Sequence, residues 1–371
     1  MENIYVTTAT YETFKLSDGR SFIDFSGGFG YQIPEIISAV DAQINKIGLS
    51  SRVLMSTPLL SLCAALAELL GPDLNNSYVC NSGDEAFEGA IKLARTIHPN
   101  RKTIIAVEGN DYGEMSYGAM VSQFDSSSSL ASYLGVKVVW VNANIDLKTL
   151  DCWDDCLAFC YGPFIRAKDG TRHTLDPKWL ASAEDLARRN RCLTIWTDID
   201  TCLGSLGALF SHKLLQANPN VVILGNSLGG GCIPIGTYSC SHSIAHAAYG
   251  RHSPAKHGST TAGNPPSCVA ALEAFRISSE KLYWQSSIAN GNLLAAELHE
   301  YSIRQYGGWV FLNLTSAQQA DVVRRALYAE GIFVRRENHA EIVFRCPLSA
   351  REPIIKSAAE TIKRTLSYAI Q

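Results

Sequence analysis

The sequence predicts an α/β protein, with a large domain on a mostly parallel sheet and a smaller α+β domain after it. Three observations carry this expectation. From about residue 77, short apolar runs alternate with helical segments, the pattern of a sheet covered by helices on both faces. The runs are continuously apolar rather than alternating, as strands buried on both sides require. Beyond a long helical stretch the pattern changes to short strands interleaved with helices, which reads as a separate unit.

In chain order, SYVCNSG reads as a strand ending in a polar turn. Residues 85–98 read as a helix, because Ala86, Ala90, Leu93 and Ile97 recur at three and four and make one buried face. TIIAVEG, VKVVWVN and CLAFCYGP follow as strands, then a helix over 176–190, then the strands CLTIWTD, VVILGN and IGTYSC. One helical stretch runs over 264–301. After it come WVFLNL, a helix over 317–330, GIFVRR, EIVFRC and a last helix ending near Tyr368. The expected division is an N-terminal segment, 1–35, packing with the small domain, a large domain over 36–290 and a small domain over 291–371. The polar run at 126–129 is a short loop, too brief for a linker, and no internal repeat is found.

A chain of 371 residues can build a core without disulfides. With 46% hydrophobic and 18% charged residues it is a well-buried globular sequence. Its net charge is -3 and its basic residues are scattered, so no phosphate-tracking stripe exists and nucleic acid is not an expected partner. The N-terminus lacks a basic stretch followed by an apolar run, and nothing approaches the roughly 18 apolar residues of a membrane helix. A cytoplasmic protein with no membrane partner is expected. None of the 11 cysteines stands in a C-x-x-C pair, so reduced thiols are expected. Cys152, Cys156 and Cys160 have ligand-like spacing, but residues four apart on a strand lie roughly 13 Å from one another. They read as small buried hydrophobes, and no metal site is expected.

Ligands of open parallel sheets sit at the carboxyl ends of the strands. Asn81 to Asp84, Gly109 to Tyr112, Gly162 and Pro163, Thr197 to Asp200, and Gly225 to Ser227 occupy those positions here. A carboxylate-bearing cleft follows, although an Asp after a strand also serves as a helix cap or turn former.

Six segments in order, DGRSFIDFSGGFG, CNSGDEAFEGAIKLAR, EGNDYGEMSYGAM, TDIDTCLGSLGALF, VVILGNSLGGGCIPIG and HGSTTAGNPPSC, resemble the class III aminotransferases of fold type I, which depend on pyridoxal phosphate (PLP). The resemblance implies a homodimer with its site at the subunit interface. It also implies departures at the cofactor positions. Asn226 stands where the family has the Schiff-base lysine. Thr197 stands where an Asp partners the pyridine nitrogen, and a one-residue shift would put Asp198 there. Asp84 follows Ser82 and Gly83 in place of a phosphate-binding Thr. Asp111 replaces the stacking aromatic, Tyr112 a His, and Gly162 a Glu. Thr260, implied to reach the partner's phosphate, and Arg345, implied to grip a substrate carboxylate, are kept. On this reading no cofactor is expected, PLP being absent.

The leading expectation is an enzyme that works the inherited cleft by acid–base and electrostatic chemistry on a small metabolite bearing a carboxylate and an amine. Asp111, Tyr112, Asp198 and Asn226 are the expected catalytic groups, and Ser82, Gly83, Asp84, Thr197, His257, Thr260 and Arg345 the substrate-binding ones. One Asp, its pKa raised by burial and by neighbouring carboxylates, would act as acid or base. Tyr112 and Asn226 would orient the substrate or stabilise an oxyanion. His257 is an alternative base. Two other readings stay open: a non-catalytic relative that binds a metabolite or pairs with an active homologue, and an aminotransferase whose lysine has moved to Lys256. An oxygen-only metal site of Asp84, Asp111, Asp198 and Asp200 has no spacing signature to support it.

Overall fold

The computed structural model describes residues 4–50, 54–122, 128–250, 257–337 and 339–370. Three antiparallel strands open the chain: β1 (Val6–Thr10), β2 (Thr13–Leu16) and β3 (Ser21–Asp24). Helices α1 (Pro34–Ile44) and α2 (Thr57–Leu70) each carry proline in the first turn, where its missing N–H is no loss. Leu62, Leu66 and Leu70 form the buried stripe of α2.

The central layer then unfolds in order: β4 (Asn76–Cys80), α3 (Gly83–Ile97), β5 (Thr103–Val107), α4 (Ser116–Val121), α5 (Ser128–Leu134), β6 (Lys137–Val141) and β7 (Cys156–Tyr161). A short hairpin of β8 (Phe164–Arg166) and β9 (Arg172–Thr174) follows, then α6 (Pro177–Arg189), β10 (Leu193–Asp198), α7 (Ser211–Leu214), β11 (Val221–Leu224), β12 (Gly236–Cys240) and α8 (His242–Tyr249). The seven-stranded sheet runs β4-β12-β11-β10-β7-β5-β6. Its strands are parallel except β12, which is antiparallel to β4 and to β11. β5, β7, β10, β11 and β12 are buried at every position, which is why their sequences do not alternate. Ile105, Phe159 and Trp196 pack to one side against α1, α2, α6 and α9 (Pro265–Glu280), while Ile104, Ala158 and Ile195 pack to the other with α3, α4 and α8. The α/β class and mostly parallel sheet expected from the sequence are those observed.

The C-terminal unit comprises α10 (Tyr283–Glu297), β13 (Ile303–Tyr306), β14 (Trp309–Asn313), α11 (Ala317–Ala329), β15 (Ile332–Phe333), β16 (Glu341–Arg345) and α12 (Glu352–Ala369). Its core joins Leu294, Val310, Val323, Phe344 and Ile362. β15 pairs in parallel with β3, tying the N-terminal strands to this unit. The single helix expected over 264–301 is two, because Leu282 adopts a left-handed conformation (φ 50°) between α9 and α10. α9 packs on α1 and α2 beneath the large sheet, and α10 packs on α12, directions that one straight helix cannot serve. The boundary expected near 290 falls inside α10. Of the polar run at 126–129, residues 126 and 127 lie outside the described residues, and 128 and 129 open α5. No helix among the described residues is long and apolar enough to cross a membrane.

Candidate active site

A cavity of about 210 Å³ lies at the carboxyl ends of β5, β7 and β10, closed from the other side by Trp309, Arg335, Glu337 and Arg345 of the C-terminal unit. That volume suits a small metabolite. Its floor follows from strand alternation: on β10 and its continuation Thr197 and Ile199 face the cavity, and Asp198 between them faces away.

The loop after β5 supplies Asp111. Asn110 pins this loop to the hairpin, its amide donating to the Phe164 carbonyl (2.8 Å) while its Oδ1 accepts the Phe164 N–H (3.0 Å). Asp111 Oδ1 accepts the Gly113 N–H (2.8 Å), and Thr197 Oγ1 donates to the Asp111 carbonyl (2.6 Å). Burial, and then the adjoining Asp200 charge, push the Asp111 carboxyl up to about 7.

Asp200 behaves oppositely. Burial opposes its charge, but Arg335 and Arg345, with hydrogen bonds from Asn226 and Asp111, hold it below the ordinary carboxylate range. Arg335 Nη1 lies 2.9 Å from Asp200 Oδ2 and Arg345 Nη1 lies 3.9 Å from it. The Asn226 amide donates to Asp200 Oδ1. Charges then alternate into the small unit: Arg345 to Glu337 (2.7 Å), Glu337 to Arg172 (3.0 Å), Arg172 to Glu341 (2.8 Å) and Glu341 to Arg166 (3.4 Å). The Arg345 guanidinium also lies 4.7 Å over the Trp309 ring. The arrangement is a proton-holding carboxyl near neutrality beside a fixed carboxylate, facing arginines. It can bind a zwitterion and exchange a proton with it.

The expected residues separate on this geometry. Asp111, Thr197 and Arg345 line the cavity. Tyr112 touches it, but its buried hydroxyl is spent on the carbonyls of Val107 (2.7 Å) and Cys160 (3.0 Å), so it is not available as an oxyanion donor. Asp198 requires correction. It is wholly buried behind β10, where it accepts from Thr201 Oγ1, the Ser211 N–H (2.9 Å) and Ser211 Oγ (2.7 Å). Thr197, and not Asp198, is the one of the two that faces the cleft. Asn226 acts through Asp200 rather than lining the cavity.

Ser82, Gly83, Asp84, His257 and Thr260 are not among the cavity-lining residues. Ser82 Oγ caps α3 by accepting the Glu85 N–H (3.1 Å). Gly83 is packed against Ile199 and Gly225, and Asp84 lies against Gly113 and accepts the Glu114 N–H (3.0 Å). Thr260 is exposed, and His257 packs beside Glu85 and Tyr238. Asp84, Asp111 and Asp198 do not gather in one pocket: Asp111 instead adjoins Asp200, whose charge influences it more than that of Asp84. Arg335, Glu337, Arg172 and Arg166 were not anticipated. The adjacent Arg335 and Arg336 after the GIFV run were the available signal, since arginines following a buried strand need a partner.

A pH dependence of stability follows. The Asp111 carboxyl titrates above its ordinary 3.8, so the stability linked to its protonation is present below that value and lost as pH rises through about 7. Asp111→Asn keeps the Gly113 hydrogen bond and removes the titration. The variant should exceed wild type at pH 8 by on the order of 3 kcal/mol, with the gain shrinking toward pH 4. Urea midpoints across this range measure it, and a pH-independent difference would refute the assignment.

A seven-stranded sheet with one antiparallel strand, a cleft at its carboxyl ends and a C-terminal unit closing that cleft define a fold type I enzyme architecture. The chain belongs to the class III aminotransferase family, whose sequence model matches residues 1–366. It is 31% identical over 268 residues to an acetylornithine aminotransferase of Mycobacterium tuberculosis, a match spanning 70% of this chain and 64%, under two thirds, of that protein's length. It is 26% identical to an ornithine aminotransferase of Bacillus cereus over 94% of this chain and 91% of that one. A solved ornithine aminotransferase of Toxoplasma gondii, described with partial occupancy of PLP at its active site, superposes with a TM-score of 0.83 at 22% identity, covering 98% of this chain and 90% of the other.

These findings correct the expectation of no cofactor: the family and its members point to PLP. The described residues do not match the usual means of holding it. Among them no lysine lines the cavity, residue 226 is an amide bonded to Asp200, and the Asp84 carboxylate stands in the first turn of α3. Lys256, the alternative lysine, lies outside the described residues.

Proposed function

We propose that the chain is an enzyme of its family acting on a small amino acid of the ornithine type, held in this cavity as a zwitterion. The observation that carries this reading is the Asp111 carboxyl, titrating near 7 beside an ionised Asp200 that arginines hold in place. Five carboxylates (Glu108, Asp111, Glu114, Asp200, Glu337) and five arginines (Arg166, Arg172, Arg335, Arg336, Arg345) line the cavity. A ligand carrying both signs can therefore be paired without leaving a net charge buried. The substrate amine goes to Asp111 and Asp200, and its carboxylate to Arg335 and Arg336, whose side chains are the more exposed of the arginines. Asp111 holds or releases the proton at the amine, and Asn226 and Arg335 keep Asp200 ionised and fixed. The names of the relatives, acetylornithine and ornithine aminotransferase, support the substrate class.

Calorimetry with ornithine tests this. Wild type should bind, and Asp111→Asn and Arg335→Ala should each lose at least tenfold in affinity, about 1.4 kcal/mol. Unchanged binding in both variants would move the substrate elsewhere.

The same proposal puts Asn226 at the place of the family's Schiff-base lysine, at the carboxyl end of β11 and in contact with a cavity carboxylate. Asn226→Lys, given PLP and then borohydride, should carry a pyridoxyl label on residue 226. A label-free residue 226 would show that the position is wrong. A homodimer is also proposed, because Ile44, Ile47, Leu49, Leu54, Met55 and Leu60 leave an apolar surface around the start of α2. The HGSTTAG segment lies against the same helix, Gly263 packing on Leu59. Sedimentation should show a dimer at micromolar concentration, and a monomer there would count against it.

A further inference from the structure

Cys80, at the end of β4, Glu85, in the first turn of α3, and His257 bring one sulfur, one carboxylate oxygen and one ring nitrogen within 4.8 Å of one another. None of the three lines the substrate cavity. We propose that they form a metal site for Zn²⁺ that fastens the 257–264 segment to the turn between β4 and α3.

The donor set selects the metal. Thiolate with imidazole and a single carboxylate is the ligand mixture of a tetrahedral zinc site, whereas magnesium and calcium require oxygen ligands throughout. Zinc bonds of about 2.0–2.3 Å place neighbouring donors roughly 3.3–3.8 Å apart. His257 Nε2 and Glu85 Oε1 already stand 4.0 Å apart and all three donors lie within 4.8 Å, so contractions of at most roughly 1–1.5 Å per pair close the site. Three protein ligands leave the fourth position for water.

The surroundings orient these donors. Glu85 Oε2 accepts both the Asn81 N–H (2.7 Å) and the Asn81 side-chain amide (2.9 Å). That fixes the carboxylate plane and leaves Oε1 on the side of the imidazole, the outer-shell support that ligating carboxylates carry. Both His257 nitrogens are buried, and the ring meets Tyr238 edge to face with centroids 6.3 Å apart. α3 has a glycine where the imidazole descends on it: a Cβ on Gly89 would stand 2.8 Å from His257 Cδ2. Beyond the imidazole, Thr261 Oγ1 donates to Asn81 Oδ1 (3.1 Å), a second fastening of the same segment to the same turn. Ligation gives this segment, which carries Thr260, a fixed position beside the turn.

The purified full chain, stripped with a chelator and reloaded with Zn²⁺, should retain one zinc per chain through gel filtration. Loaded with Co²⁺, it should show a near-ultraviolet thiolate-to-cobalt charge-transfer band. Cys80→Ser should abolish the band, whereas Cys192→Ser, at a distant buried thiol, should leave it. His257→Gln should weaken zinc binding by at least the ten- to hundredfold that loss of a mere outer-shell partner costs. It decides the matter if Cys80→Ser fails to fold. Zinc lost from wild type on gel filtration, a band that survives Cys80→Ser, or unchanged affinity in His257→Gln would each overturn the site.

Discussion

Asp200→Asn should lower ornithine binding and turnover at neutral pH by on the order of a hundredfold and, in the same variant, move the alkaline limb of the pH profile downward. Both effects come from one charge. Two like charges about 4 Å apart at an effective dielectric near 20 repel by about 4 kcal/mol, and after burial the Asp200 charge is the largest cause holding the Asp111 carboxyl up to about 7. Removing it returns Asp111 toward the ordinary range, so that at neutral pH the group is ionised and no longer carries its proton. Arg335 loses its ion-pair partner at the same time and Arg345 loses a nearby countercharge. Asn retains the shape and can still meet one donor, so the fold should survive, and circular dichroism and the urea midpoint check this. Asp200→Glu, which restores the charge, should recover part of the binding and return the alkaline limb toward wild type. A hundredfold loss without movement of the limb would mean that Asp200 matters only as an arginine anchor. No loss at all would remove the cavity from the chemistry.

The sheet strands and most helices were legible because burial writes itself into composition. Five strands closed on both faces need continuous apolar runs, and α3 needs a stripe at three and four. The break between α9 and α10 was not legible. It rests on Leu282 in a left-handed conformation with no Gly or Pro to mark it, forced by where the two helices must pack. The carboxyl-end rule found the right loops, yet within a loop it does not say which way a side chain points. Asp198 and Asp200 are equally acidic and two apart, so strand alternation would put them on one face, but β10 ends at Asp198 and the turn that follows carries Asp200 into the cleft. The partners of Arg335 and Arg172 are invisible for a different reason, although Arg335 itself stands out as an arginine after a buried strand. Those partners are 135 and 169 residues away, and no local spacing encodes a contact made by closing one unit over another. The cofactor expectation failed because single positions were weighed against a whole-chain likeness, and the family match over 1–366 outweighs them.

Gly236→Ala should destabilise the protein by more than about 4 kcal/mol, the range reserved for overpacked or displaced backbone. β12 is the one antiparallel member of the large sheet, and Gly236 pairs with Cys80 of β4 just where the chain turns into α3. A methyl group there would run into the carbonyl group of Ser82 and stand 2.5 Å from the Gly83 nitrogen. These are backbone atoms with no rotamer to yield, so either β12 separates from β4 or the first turn of α3 shifts. The second outcome drags Gly83 against Gly225 and Ile199, which it already touches, and Ile199 forms part of the cavity wall. Steric conflict and not conformation is the cause, because Gly236 is absent from the residues with positive φ. Gly170→Ala is the contrasting control: Gly170 has φ +84° and nothing within 4 Å of the added carbon, so it should cost only the roughly 1–2 kcal/mol of a left-handed alanine. Urea unfolding of both variants, with soluble yield recorded for Gly236→Ala, separates the two mechanisms. If Gly236→Ala unfolds within about 1 kcal/mol of wild type, the close approach of β12 to the β4–α3 turn is wrong, and with it the placement of Cys80 and Glu85 beside that turn.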